Sequence, residues 1–277
     1  MFKVAFKRDR RTARTLGFTK RGAAVCVIVC ALGAPARAAT RVALIDGGDL
    51  DPKTRGERWC SFLNNNGYEC TLFPMSGPTS SLEEFAVVID MSNQWADPTG
   101  SLSQFLRTGK GVIVWGAGAE TLGIDNDPIV QAWIGANEGS FGTEGCVTTS
   151  PDPILGDIPA GTEIAHCGFS LCRALRDTNG HPEAKTLARF NVSSAPIAIL
   201  RNRWEGGRSI YLSDVLIAGV PLHDEIFLRA VAELSIRIPT ISAWGCFLFA
   251  LSAVTAGSIV MKRRAPRHPR LTEKEER

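Results

Sequence analysis

The sequence predicts an α/β domain: a three-layer sandwich whose mostly parallel sheet is covered by helices on both faces. Three observations carry this prediction. Short, nearly continuous apolar runs alternate with segments that repeat apolar residues at helical spacing. The apolar runs show no polar alternation, as expected of strands buried on both sides. The stretch from about Thr40 to Arg237 is also long enough for one domain with a full core, and it holds no internal repeat or low-complexity segment.

The elements follow in order. Arg41–Ile45 is a first strand and ends in Asp46-Gly47-Gly48. Asp51–Asn66 has helical spacing, with Trp59, Phe62 and Leu63 on one face, and Asn64-Asn65-Asn66-Gly67 stops it. Tyr68–Phe73 is a second strand and Phe85–Asp90 a third. Thr99–Arg107 is a helix that turns Leu102, Phe105 and Leu106 inward, and Gly109 and Gly111 punctuate its end. Gly111–Trp115 is a fourth strand. Later strands are expected at Thr186–Phe190, Ile197–Arg201 and Ser209–Leu212, and a last helix at Asp224–Leu234.

The two ends differ from this middle. Of 31 Lys/Arg and 28 Asp/Glu, nine and one lie in residues 1–39, and seven and three in 262–277. The remainder therefore holds 15 basic and 24 acidic residues. A basic leader, the apolar stretch Ala23–Gly33 and the small residues Ala34-Pro35-Ala36-Arg37-Ala38-Ala39 form a secretory signal over residues 1–39, with cleavage after Ala38 or Ala39. At the other end, the 21 residues Ile241–Met261 carry no charge. At about 1.5 Å per residue they span a hydrocarbon core of about 30 Å. Both basic flanks then stay cytoplasmic, and the acidic domain between them is exported. An acidic domain is a poor partner for nucleic acid.

Five cysteines remain in the exported part: Cys60, Cys70, Cys146, Cys167 and Cys172. An oxidising compartment favours disulfides, and the odd count leaves one thiol over. Cys60 with Cys70 is a local bridge between the first helix and the second strand. Cys146 with Cys167 or Cys172 is the second expectation. No CxxC pair occurs and the chain has four His, so no metal site is expected, nor any cofactor.

Two resemblances add to this. Ile238-Pro239-Thr240-Ile241, the following Trp244-Gly245, the apolar span and Arg263-Arg264 together resemble the IPTL-CTERM bacterial sorting signal, a relative of PEP-CTERM. Ile241 stands where Leu is usual. The resemblance covers residues 238–264, leaves 265–277 as a basic tail, and implies that an exosortase-like membrane enzyme recognises and cuts the tail. It implies delivery to the cell surface or beyond. Such sorting is associated with extracellular polysaccharide, which makes a carbohydrate a candidate ligand.

The middle domain resembles the class I glutamine amidotransferase-like fold, a flavodoxin-like sandwich that includes ThuA-like domains. The marks are Val42-Ala43-Leu44-Ile45-Asp46, Val112-Ile113-Val114-Trp115-Gly116, Asp152-Pro153-Ile154-Leu155-Gly156 and Gly207-Arg208-Ser209-Ile210-Tyr211-Leu212 before a final helix. Catalytic members carry a nucleophilic Cys on a sharp strand-to-helix turn, beside N–H groups that lower its pKa and hold an oxyanion. The corresponding turn here is Gly116-Ala117-Gly118, with no Cys or Ser from Gly111 to Thr121. Cys-dependent hydrolysis is therefore not expected. The turn could bind an oxyanion through its N–H groups, or its glycines could serve only close packing.

Asp46, Asp90 and Asn93 follow the carboxyl ends of strands one and three, where open parallel sheets bind ligands at a switch in strand order. With Glu120 they could line one crevice, either to bind hydroxyls or to serve a hydrolase built on Asp46 and Asp90. The plainer reading is turn and cap chemistry. Trp95, in the polar loop Asn93–Pro98, could stack on a sugar ring or cover the crevice. His166 beside Cys167 is disfavoured as a catalytic pair, since neighbours on an extended segment point to opposite faces. No Gly-x-Ser-x-Gly elbow, Walker loop or zinc-protease helix occurs.

Overall fold

The computed structural model describes residues 39–47, 56–167 and 172–236. The expected leader, the sorting motif from Ile238 to Arg264, the apolar span Ile241–Met261 and the basic tail lie outside the described residues. Among those described, no helix is long and apolar enough to cross a membrane.

Five strands form the parallel half of the sheet. β1 (Thr40–Ile45) lies between β2 (Tyr68–Phe73) and β3 (Val87–Asp90), and β4 (Gly111–Trp115) and β11 (Gly207–Leu212) follow β3. The order β2-β1-β3-β4-β11 is parallel throughout. The chain moves to one side of β1 to make β2 and to the other to make β3, so strand order reverses at the carboxyl ends of β1 and β3.

Alternate residues of these strands feed two cores. Val42 and Leu44 of β1, with Ile113 and Trp115 of β4, pack on α1 (Gly56–Asn65) and α5 (Pro221–Ser235) through Trp59, Leu63, Ile226 and Phe227. Ala43 and Ile45, with Val112 and Val114, meet α2 (Ser101–Arg107) and α4 (Pro128–Ile134) through Leu102, Phe105, Leu106 and Trp133. Helices thus cover both faces. The first core is centred on three rings: Trp59 and Phe227 have centroids 4.2 Å apart, Trp115 and Phe227 5.8 Å. Burial of such rings is among the largest hydrophobic contributions a core can have.

The sheet is mixed rather than mostly parallel. β10 (Ile197–Trp204) runs antiparallel to β11, joined through Glu205 and Gly206, both at positive φ as a tight two-residue hairpin requires. β9 (Lys185–Phe190), β6 (Gly145–Thr148) and β7 (Glu163–His166) extend this antiparallel half, and β5 (Gly139–Gly142) pairs with β8 (Cys172–Leu175) off the main path. β5 to β8 are four residues each and were not anticipated, because runs that short, two of them containing Gly, carry little periodic signal. α4 was also missed, although Asp127 caps it through the Ile129 N–H, Pro128 occupies its first turn and Gly135 closes it. The final helix begins at Pro221, earlier than expected at Asp224, with the proline in its first turn.

The cysteines pair as Cys60–Cys70 and Cys167–Cys172, with Cα atoms 5.4 and 6.0 Å apart. The first was expected and ties α1 to β2. The second corrects the expectation that Cys146 would pair with Cys167 or Cys172. Cys146 lies fully buried on β6 between Ala165 and Phe190, and burial pushes its thiol up to about 12, so it behaves as a small core residue.

Alkylation of the unreduced, unfolded chain followed by peptide mapping should find Cys146 as the single labelled cysteine between residues 40 and 236. Replacing Cys60 and Cys70 by Ser should cost about 2–3 kcal/mol in denaturant unfolding, the loop-entropy value for so short a closed loop.

Candidate functional site

The switch in strand order brings the ends of β1 and β3 together. Asp46 follows β1, is half-buried, and donates its N–H to the Phe73 carbonyl at 3.0 Å. Its Oδ1 is buried with no partner among the described residues. Asp90 ends β3 and is 0% exposed. Its Oδ1 accepts the Ser92 N–H at 2.9 Å, while Oδ2 has no partner among the described residues. Burial pushes the Asp90 carboxyl up to about 8; the Ser92 N–H opposes this and the charge of Asp97 adds to it.

The loop after Asp90 is knotted on itself. Ser92 Oγ donates to the Met75 carbonyl at 2.6 Å and accepts the Gln94 and Trp95 N–H groups at 3.0 and 2.9 Å. Asp90 and Ser92 thus do the turn-forming work that their residue types favour. Asn93 is exposed on this loop. Trp95 is 7% exposed, so it is chiefly a packing residue.

The β4-to-α3 turn lies beside them. α3 (Gly116–Thr121) starts directly from β4, and Gly116, Ala117, Gly118 and Ala119 are all buried. A Cβ on Gly118 would stand 3.0 Å from the Asp90 carbonyl and 3.2 Å from Asp90 Oδ2. A Cβ on Gly116 would stand 3.0 Å from the Asp214 amide and 3.1 Å from Arg173 Cβ. The glycines are there for close approach; the nucleophile position implied by the resemblance is Ala117 or Gly118, and both are buried, Ala117 at 7% exposure.

What closes the turn was not foreseen. Arg173 on β8 bridges two carboxylates: Nε to Glu120 Oε2 at 2.9 Å and Nη1 to Asp214 Oδ2 at 3.4 Å. Its backbone N–H also donates to Asp214 Oδ1 at 2.8 Å, and Ser213 Oγ donates to its carbonyl at 2.5 Å. Burial draws the Arg173 guanidinium down, but Glu120 and then Asp214 outweigh it and leave it raised. Beneath lies Tyr211, fully buried, with a hydroxyl that has no partner among the described residues. Burial, then the charges of Asp214 and Glu120, hold that hydroxyl well above its ordinary value.

Of the residues expected to share a crevice, Asp90, Gly116, Ala117 and Gly118 meet around the turn. Glu120 instead joins Arg173 and Asp214. Asp214 was legible by the rule that selected Asp46 and Asp90, since it follows the carboxyl end of β11. Arg173 was not, because β8 was unrecognised. His166 is exposed beside Cys167, which is in a disulfide. His223 is a structural pin: Nδ1 accepts the Ile217 N–H and Nε2 lies 2.9 Å from the Ile164 carbonyl. No group of three metal-binding side chains converges among the described residues.

This arrangement defines a mixed α/β sandwich whose β4-to-α3 turn, Gly116-Ala117-Gly118, carries no nucleophilic side chain, and its fold is similar to that of several solved structures. The similar solved structures include a ThuA-like protein from Parabacteroides merdae, at 10% identity over 71% of this chain and 90% of that one, with a TM-score of 0.51. They also include a cytoplasmic protein from Salmonella typhimurium, at 10% identity over 70% and 98% of the two chains, with a TM-score of 0.50. A third is the cold-adapted β-galactosidase from Rahnella sp. R3, at 17% identity and a TM-score of 0.51; the match covers 77% of this chain and 34% of the enzyme. No family model matches the chain and no curated protein matches it. At these identities the likeness is one of fold.

An Asp90→Asn substitution tests the buried carboxyl. Its folded-state pKa of about 8 lies above the ordinary 3.8, so folding favours the protonated form. The stability this contributes is full below about pH 4 and is lost as pH rises toward 8. The melting temperature of Asp90→Asn relative to the parent should therefore climb by several degrees between pH 5 and pH 9.

Proposed function

We propose that the chain is an exported, membrane-anchored protein whose C-terminal tail is processed, and whose amidotransferase-like domain binds a ligand without catalysing a reaction. The observation that carries the non-catalytic reading is the turn at Gly116-Ala117-Gly118. It offers only Ala117 or Gly118 at the position where the resemblance expects a nucleophile, and Arg173 and Asp214 pack against Gly116. A side-chain carbon at Gly116 or Gly118 would meet Asp214 or Asp90 at 3.0 Å, so the turn is closely packed on both sides.

Export is supported by the basic leader with its small-residue site, the uncharged span and the two disulfides, which persist in oxidising compartments. The Ile238–Gly245 motif and the Arg263-Arg264 pair support recognition by an exosortase-like enzyme. The destination is the cell surface or medium, and extracellular polysaccharide is the partner this reading favours.

A hydrolase using Asp46 and Asp90 is the second reading. The carboxyl of Asp90, raised to about 8, would hold a proton at neutral pH, as a general acid must. Its complete burial keeps it from any substrate in the present conformation, and this weighs for the first reading.

Intact mass and fractionation of the protein from its own host test the proposal. Loss of about the first 39 residues and of the tail, with protein beyond the inner membrane, is expected. A mature protein that always retains Lys262–Arg277 overturns processing. A hydrolytic activity abolished by Asp46→Asn or Asp90→Asn at unchanged stability overturns the non-catalytic reading.

A further inference from the structure

A groove of about 560 Å³ opens between the β2–β3 loop and α2, away from the switch point. Its floor is apolar: Leu82, Trp95 and Phe105 line it, each less than a tenth exposed. Its walls are hydroxyls and amides. Ser76, Thr79, Ser80 and Thr99 are exposed, and none of their hydroxyls is committed to a protein partner among the described residues. Gln104 spends its Nε2 on the Thr99 carbonyl at 3.3 Å and leaves Oε1 open. By contrast, the Ser101 hydroxyl is spent on Asp97 and that of Thr108 on the Phe105 carbonyl.

The floor is held rigidly. Gly77, at φ +89°, presses on the indole of Trp95 so closely that a Cβ there would lie 2.3 Å from Cδ1. Trp95 is anchored from below by its N–H to Ser92 Oγ. Its indole N–H, however, has no acceptor among the described residues. It is not among the buried atoms left without a partner, so at the groove it is available as a donor to a ligand or to water.

Charge narrows the class of ligand. The groove has one cation and one anion, Lys110 and Glu83. The Lys110 ammonium donates to the Glu83 carbonyl and sits 4.8 Å from the Phe105 ring centroid, so it is already engaged. The Glu83 carboxylate is exposed and opposes an anionic ligand. An apolar floor, with a rim of groups that both donate and accept, matches a molecule with apolar ring faces and hydroxyl edges.

We propose that this groove binds a short neutral oligosaccharide. The inference rests on the reading of the domain as a ligand-binding one, and it assigns that role to the α2 groove instead of the crevice at Asp46 and Asp90. Hydroxyls of Ser76, Thr79, Ser80 and Thr99 exchange hydrogen bonds with sugar hydroxyls, Gln104 Oε1 accepts another, and the floor receives the ring.

The test uses the full-length chain in a sugar-free detergent. It is titrated calorimetrically with neutral oligomers of glucose, galactose and N-acetylglucosamine, and with glucuronate oligomers as the charged comparison. Saturable binding of at least one neutral oligomer is expected. Gln104→Leu and Ser80→Val should each weaken it by about tenfold, and Thr99→Trp, which fills the groove, should abolish it, all at unchanged melting temperature. Glu120→Gln should leave it unchanged. No binding by any neutral oligomer overturns the proposal, as does binding that survives Thr99→Trp or tighter binding of the glucuronates. None of these outcomes alters the mass and fractionation result, so failure of the groove is distinguishable from failure of export.

Discussion

The turn from β4 into α3 is closed on two sides at once, and the character of the site depends on that closure. On one side Gly118 lies against the end of β3; on the other Gly116 lies against β8 and Asp214, two residues past β11. Neither face has room for a further carbon at ordinary contact distance. The turn is therefore a packing joint between the parallel and antiparallel halves of the sheet. A nucleophile needs the reverse: an exposed atom, donors with empty space before them, and a base in reach. Here neither Ala117 nor Gly118 has a reactive side-chain atom, and the polar groups nearby are either paired, as Arg173, Glu120 and Asp214 are, or sealed from solvent, as Asp90 is.

The Arg173 bridge has to be weighed with care. Arg173 is 36% exposed and Glu120 33%, so solvent screens their attraction and their pairing adds little to stability. Asp214 is the deeper partner, at 11% exposure. Its Oδ1 accepts the Arg173 backbone N–H at 2.8 Å, a bond that any residue at position 173 except Pro could donate. The guanidinium therefore does more for specificity than for energy: it fixes β8 over the turn and neutralises two acids beside the orphan hydroxyl of Tyr211. Such a network suits a rigid joint better than a reaction centre, where one member must be free to change its charge.

Much of the parallel half was legible in the sequence. Val42-Ala43-Leu44-Ile45, Val87-Val88-Ile89 and Val112-Ile113-Val114 are short apolar runs that only a doubly covered sheet can bury, and the helices between them carry their stripes plainly. The antiparallel half was not legible as a whole. β5 to β8 are short, Gly-containing or half-exposed, and their pairing is set by tertiary contacts rather than by period. The site shared this division. Asp46 and Asp90 could be placed because they end recognisable strands. Arg173 could not, and with it went the partner of Glu120 and the cause of the closed turn. The pairing of Cys167 with Cys172 was lost for the same reason, since the start of β8 at Cys172 was unseen.

Closure of the turn also bears on where a ligand could sit. In an open α/β sheet the crevice at the strand ends is the natural site because the backbone there has spare donors and the connections diverge. In this chain the connection after β3 does not diverge. Ser92 gathers three hydrogen bonds and folds the segment from Asp90 to Trp95 back on the sheet edge, and Asp90 is sealed beneath it. The same fold-back delivers Trp95 to the side of the domain, under Gly77 and next to α2. One loop therefore both fills the usual site and supplies the floor of the groove beside α2. The two features share a cause in the Asp90-Met91-Ser92 turn, and loosening Ser92 would be expected to disturb both together.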